Sequence, residues 1–176
     1  MNEESFKERR RKSKDPLQCT IYKGVTGKFG AMRISLKKAY TDTKRDRDEG
    51  CVFIEACGTT APNNYDWENK IVMALNMSDI AKILLYLRTE GEDPQFKKDK
   101  GELKIFHDRG AGTSQKGQDT TSLNIKRPEG WDNLVLSMHR NASGESINTS
   151  VSLSSSEAIF ISVLLQAAIP LIVAWN

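Results

Sequence analysis

Over most of this chain hydrophobic and polar positions alternate with a period of two, the spacing that sends successive side chains to opposite faces of a strand. The clearest run begins at Lys28. Gly30, Met32, Ile34 and Leu36 share one face, and Phe29, Ala31, Arg33, Ser35 and Lys37 share the other. The run belongs to a long strand predicted from Cys19 to Tyr40 and broken near Gly24 and Gly27. Cys51 to Cys57 is the next strand, and Ile71 to Met77 follows with Ile71, Met73, Leu75 and Met77 inward. Glu102–His107, Ser122–Arg127, Leu134–Arg140 and Ile147–Leu153 complete the predicted strands.

The period changes twice. Ile80, Ile83, Leu84 and Leu87 recur at helical spacing, so Ile80–Arg88 reads as a helix capped by Ser78-Asp79. Ser154 and Glu157 have the spacing of a capping box, and from Ala158 onward no side chain is charged. A helix apolar on nearly all sides must bury both faces or lie in lipid. A membrane span needs about 20 apolar residues with suitable flanks. This run holds Ser162, Gln166 and Pro170 and has no basic anchor. It is read as a helix that covers a sheet with one face and meets another subunit with the other.

The intervening segments are polar. Thr41–Gly50 is a charged hairpin connection, Gly58–Asn64 a turn region, Thr89–Gly101 a charged loop and Asp108–Thr120 a Gly- and Ser-rich hairpin tip. The two strand-to-helix junctions, A-L-N-M-S-D-I and V-S-L-S-S-S-E-A-I, look alike. The chain therefore reads as α+β, an internal repeat of two β-rich halves each closed by a helix. Ahead of this domain, assigned to residues 18–176, residues 1–17 form a basic flexible tail with the run Lys7-Glu8-Arg9-Arg10-Arg11-Lys12. It serves either as a solvated tail or as an arm that lies on phosphates.

Composition narrows the class. At 176 residues the chain can bury a stable core without staples. Its three cysteines, Cys19, Cys51 and Cys57, have no CxxC spacing, and an odd count argues against a disulfide framework. Asn76, Asn141 and Asn148 open N-x-Ser sequences, but no secretory signal precedes them. A reducing, cytoplasmic setting is expected. The only histidines are His107 and His139, no Cys/His cluster has zinc spacing, and Gly110–Gly117 has the composition of a phosphate loop without its order. No catalytic residue, metal or cofactor is expected, and no enzymatic activity.

The net charge of +3 is small, so the distribution of charge matters more than its sum. On the predicted outer faces stand Phe29, Arg33 and Lys37, then Lys70, then Lys104 and Phe106, then Lys126, with Trp131 and His139 nearby. Cations neutralise phosphates and release counterions. Aromatic rings stack on unpaired bases, worth about 1–3 kcal/mol per base. The two interleaved on sheets suit a single strand; duplex readers more often place a basic helix in a groove, and both helices here are too apolar for that. Lys28, Arg33, Lys37, Lys70, Lys104 and Lys126 are assigned to phosphates, and Phe29, Phe106 and Trp131 to bases. Taken singly, each is equally a solvated lysine or a core aromatic. Tyr65-Asp66-Trp67 is read as a turn pinned into the core by its aromatics.

Several stretches together resemble the Whirly-type single-stranded-nucleic-acid-binding proteins: Tyr65-Asp66-Trp67-Glu68-Asn69-Lys70, Ser78-Asp79-Ile80, Phe106-His107-Asp108, Leu134-Val135-Leu136-Ser137-Met138 and the ending Ile169-Pro170-Leu171-Ile172-Val173-Ala174-Trp175. They run in family order over roughly residues 20 to 175. The resemblance implies two antiparallel four-stranded β-sheets in a ββββα repeat, each followed by a helix. It also implies a homotetramer held by helix contacts and binding of single-stranded DNA with little sequence preference. Trypanosome mitochondrial guide-RNA-binding proteins share that fold, so an RNA-binding or annealing role is the alternative, and a tail-anchored or scaffold protein a second one. The plant K-G-K-A-A-L element has its nearest match in Thr26-Gly27-Lys28-Phe29-Gly30-Ala31-Met32, which leaves assembly beyond a tetramer open. The family's organellar targeting segment has no counterpart, which implies a bacterial or viral setting.

Overall fold

The computed structural model describes residues 18–23, 29–42, 47–111, 116–142 and 144–173, with the backbone alone over 37–42 and 47–49. The tail expected over residues 1–17, Lys28 and the Lys37 side chain lie outside what is described.

Ten strands and three helices follow in order: β1 (Gln18–Tyr22), β2 (Ala31–Asp42), β3 (Arg47–Cys57), β4 (Thr59–Ala61), β5 (Asn64–Tyr65), β6 (Ile71–Leu75), α1 (Met77–Thr89), α2 (Pro94–Lys97), β7 (Leu103–Asp108), β8 (Asp119–Lys126), β9 (Leu134–Ala142), β10 (Glu145–Leu153) and α3 (Ser155–Ile172), all among the described residues. Sheet 1 has the order β1-β2-β3-β6 and sheet 2 the order β10-β9-β8-β7. Every neighbouring pair is antiparallel.

The alternation seen in the sequence fixes which face is dry. In sheet 1 the rows Ile21/Met32/Ala56/Ile71 and Cys19/Ile34/Ile54/Met73 turn inward. In sheet 2 the rows Leu103/Ile125/Leu136/Val151 and Ile105/Leu123/Met138/Thr149 do so. Both inner faces and both long helices join in one hydrophobic cluster. The closing helix α3 buries Ala158, Ile161, Leu165, Ala168 and Ile172, a stripe at steps of three and four, against β2, β3, β10 and α1. Its predicted capping box is present: Ser154 and Glu157 cap each other's backbone N–H groups. By length and composition α3 could also cross a membrane.

Three expectations change. The predicted turn region at 58–64 contains the two-stranded ribbon β4–β5, so the first half is not a plain ββββα unit. Pro62-Asn63 makes the tight connection, with Asn63 at φ 59°, a left-handed conformation that asparagine tolerates better than most residues. Helix α1 starts earlier than Ser78-Asp79 implies. Asn76 is its cap, accepting from the Asp79 N–H at 3.0 Å, while the Asp79 carboxylate accepts from the Asn76 N–H at 3.0 Å. The charged loop after α1 is anchored: Tyr86, fully buried, donates to the Gly101 carbonyl at 3.0 Å and meets Phe96 of α2 edge to face.

The sheets meet at a seam. The Gly30 N–H, just before β2, donates to the Ser150 carbonyl of β10 at 2.9 Å. A Cβ on Gly30 would stand 1.8 Å from the Cys57 carbonyl oxygen and 2.8 Å from the Thr149 hydroxyl. No side chain fits there, so glycine is what permits the approach.

Candidate nucleic-acid interface

The outward face of sheet 2 is broad and polar. Its rows are Lys126/Val135/Ser152, then Lys104/Asn124/Ser137/Ser150, then Phe106/Ser122/His139/Asn148, then Asp108/Thr120/Asn141/Ser146. Phe106 projects from it with 65% of its surface exposed. Lys104, two residues away on the same face, is exposed and stands 3.6 Å from Asp99 and 3.5 Å from Glu102. Lys126 is exposed, and among the described residues no carboxylate lies within ion-pair distance of it. Neighbouring hydroxyls bond across strands: Ser137 with Ser150 at 2.8 Å, and His139 Nε2 with the Ser146 hydroxyl at 2.8 Å.

The outward face of sheet 1 is built differently. Arg33 and Glu55 are direct cross-strand partners. The Arg33 guanidinium lies 3.5 Å from the Glu55 carboxylate and 4.4 Å from the centre of the Trp67 ring, a cation–π stack. Lys70 reaches the other oxygen of Glu55 at 2.6 Å. Glu55 is largely shielded, with 13% of its side chain exposed. Tyr22, exposed on β1, packs against Tyr65 with ring centres 5.0 Å apart. The Tyr65-Asp66-Trp67 turn thus folds over the outer face rather than into the core, which corrects the sequence reading. Ala31, on the same outward side between Tyr22 and Cys57, is fully buried. Asp66 braces the turn by accepting from the Asn69 backbone and side-chain N–H groups.

At the seam Phe29 and Trp131 meet edge to face, 6.3 Å between ring centres. Phe29 comes from the entry to β2 and Trp131 from the β8–β9 turn, so the pair bridges the two sheets. Trp131 remains 48% exposed.

The predicted residues therefore divide. Phe106, Lys104, Lys126 and Trp131 stand in solvent on or beside the sheet 2 face. Phe29 is half-buried against Trp131. Arg33 and Lys70 share one carboxylate, which offsets one of their two charges; sequence spacing did not show this because Glu55 comes from a third strand. Tyr22, Tyr65 and Trp67 were missed as surface aromatics; the Y-D-W word was the available signal, read with the wrong side. Cys57 is buried, and burial pushes its thiol up, away from reactivity. Among the described residues no group of three His, Cys, Asp or Glu could hold a metal.

Away from both faces, a groove of about 740 Å³ runs between α1 and α3, lined by Leu84, Leu87, Ile159, Val163, Gln166 and Ile169 among others. Ile159, Phe160, Val163 and Leu171 of α3 are exposed.

The family model described as Whirly transcription factor matches residues 21–164. Among solved structures, the chain is similar to WHY3 from Arabidopsis thaliana at 16% identity and a TM-score of 0.70, over 90% of this chain and 89% of that one. The plant transcriptional regulator PBF-2 matches at 19% identity and 0.71, over 90% and 82%. A guide-RNA-binding protein complex bound to a gRNA matches at 13% identity and 0.54, over 92% and 94%. At these identities the likeness to solved structures speaks for the fold. A search of curated proteins finds no match.

Proposed function

The chain belongs to the Whirly family of nucleic-acid-binding proteins, and from that premise we propose that it binds single-stranded DNA with low sequence specificity and catalyses no reaction. The observation that carries the proposal is Phe106: a large ring held in solvent, beside Lys104, on a sheet face made mostly of hydroxyls and amides. An exposed aromatic on a flat surface has little to gain by folding and much to gain by stacking on a base. Lys104 and Lys126 supply phosphate contacts, and Trp131 a further ring at the seam. Arg33 acts by backing Trp67 more than by meeting phosphate directly.

RNA is the second reading, favoured by the fold shared with a gRNA-bound complex. Stacking and phosphate contacts serve both polymers. We also propose that copies of the chain associate through their helices as a homotetramer. The apolar residues left exposed on α3, next to the groove beside α1, support a second copy as the occupant.

A fluorescence titration with matched single-stranded and duplex oligomers at several salt concentrations tests the proposal. Expected are tighter binding to the single strand and an affinity that falls with salt. Duplex preference, or no salt dependence, overturns it. Competition between DNA and RNA oligomers separates the two polymers. The sedimentation mass without detergent tests the tetramer, and a monomer refutes it.

A further inference from the structure

The outward face of sheet 2 departs from strand preference. Asn is depleted in strands, where β-branched and aromatic residues are favoured, yet Asn124, Ser122, Ser137, His139, Asn148 and Ser150 fill its interior. The inner face of the same strands follows the rule. Charge is confined to the margin, at Lys104, Lys126 and Asp108. Asp108 is already engaged, accepting from the Gly110 and Gly117 N–H groups at 2.9 and 3.0 Å. A surface that only had to stay wet would do better with lysine, glutamate and threonine. Breaking the local rule on one face, with no packing gained, marks a working surface. Within it Ser137 is bonded to Ser150 and His139 to Ser146. Ser122 and Asn124 have no side-chain hydrogen bond among the described residues, and both adjoin Phe106: Ser122 lies directly opposite it, and Asn124 lies opposite Lys104.

We propose that Phe106, Lys104, Ser122 and Asn124 form a subsite that reads one unpaired base by its edge and favours adenine. The inference rests on the single-strand reading above and adds a base preference to it. Side chains stand roughly perpendicular to a sheet. A base stacked on an upright ring is itself upright and turns one edge down toward the strands. Asn124 is the diagonal neighbour of Phe106, about 7–8 Å away, within reach of that edge. An asparagine amide offers a donor and an acceptor in one plane, the complement of the adenine amino group and N7; on that edge guanine shows two acceptors, cytosine a lone donor and thymine a lone acceptor. The Ser122 hydroxyl donates or accepts as the base requires. Lys104 takes the adjoining phosphate, exchanging two partly exposed carboxylates for it.

The test uses oligothymidines about 12 nucleotides long, with thymines at the centre or with adenines there, titrated against the full chain and against Asn124→Ala. The parent chain is expected to bind the adenine oligomer about tenfold tighter. Asn124→Ala is expected to bring the two within about twofold, the larger loss falling on the adenine oligomer, with a parent-like salt slope. A third oligomer, with unsubstituted purine in place of adenine, makes the same test from the ligand side. It stacks but lacks the amino group, and is expected to bind as thymine does. Equal binding of thymine and adenine by the parent chain overturns the subsite while the single-strand reading stands. So does a preference that survives Asn124→Ala, or purine binding at the adenine level. Failure to bind any of the oligomers overturns the single-strand reading, and the subsite with it.

Discussion

Replacing Glu55 by Gln should strengthen binding to single strands. In the folded protein this one carboxylate lies 2.6 Å from Lys70 and 3.5 Å from Arg33, so the outward face of sheet 1 presents two cations with a net charge near one. Glutamine keeps the size and the acceptor oxygen and removes the negative charge. The face then gains one unit of uncompensated positive charge, room for one further phosphate. For single strands each phosphate neutralised adds about 0.7 to the slope of log affinity against log salt. At about 0.1 M salt that amounts to roughly fivefold in affinity. The cost to stability is about 1 kcal/mol, because both cations are about one-third exposed and water takes up much of the lost interaction. Fluorescence anisotropy with an oligothymidine across a salt series reads both quantities, and a urea melt reads the cost. An unchanged slope and affinity in a folded variant would refute the assignment of Arg33 and Lys70 to phosphates. Weaker binding would show instead that Glu55 itself contacts the ligand or orders Trp67 for it.

Three further outcomes follow from other parts of the molecule. Phe106→Ala should weaken single-strand binding by about 1–3 kcal/mol and leave the melting temperature nearly unchanged, because the ring is mostly in water; an intact affinity would remove Phe106 from the site. Gly30→Ala should destabilise the fold by about 3 kcal/mol, the upper end of what overpacking costs, because its Cβ would meet the Cys57 carbonyl; thermal melting checks this, and a parent-like transition would refute the seam. Burial alone would raise the Glu157 carboxyl, but the Lys23 ammonium at 2.8 Å and the Ser154 N–H and hydroxyl together hold it below its ordinary value. A depressed carboxylate stabilises the fold above its unfolded pKa and loses that contribution as pH falls through the folded value. Glu157→Gln should therefore reduce stability at neutral pH and flatten the fall in stability below about pH 4.5, read by urea melts across that range.

What the sequence disclosed was whatever repeats at a fixed interval. The run from Gly30 to Leu36 gave the dry face of β2, and Ser154 with Glu157 gave the start of α3, because each depends on local spacing. Asn76 was overlooked as a cap because Ser78-Asp79 has the same chemistry two positions on; only the hydrogen bonds decide between overlapping caps. The ribbon β4–β5 is too short for alternation to show. Its consequence, Trp67 lying on Arg33, depends on a turn folding back across two strands, and no periodicity encodes that. Charge pairing was hidden for the same reason. Arg33, Glu55 and Lys70 are far apart along the chain and adjacent only across the sheet, so cations counted singly overstated the free positive charge of sheet 1. Sheet 2 was easier: Lys104 and Phe106 share a face by spacing alone, and among the described residues no segment folds over them.

The Gly30–Ser150 bond ties the two sheets main chain to main chain, beside the core they share. Main chain touches main chain there, with no side chain between to act as a cushion or a pivot. Trp67 on one sheet and Phe106 on the other are thereby carried on a frame joined through backbone, as the jaws of a calliper are joined by its beam. A flexible polymer laid across both must adjust its own stride to that gauge.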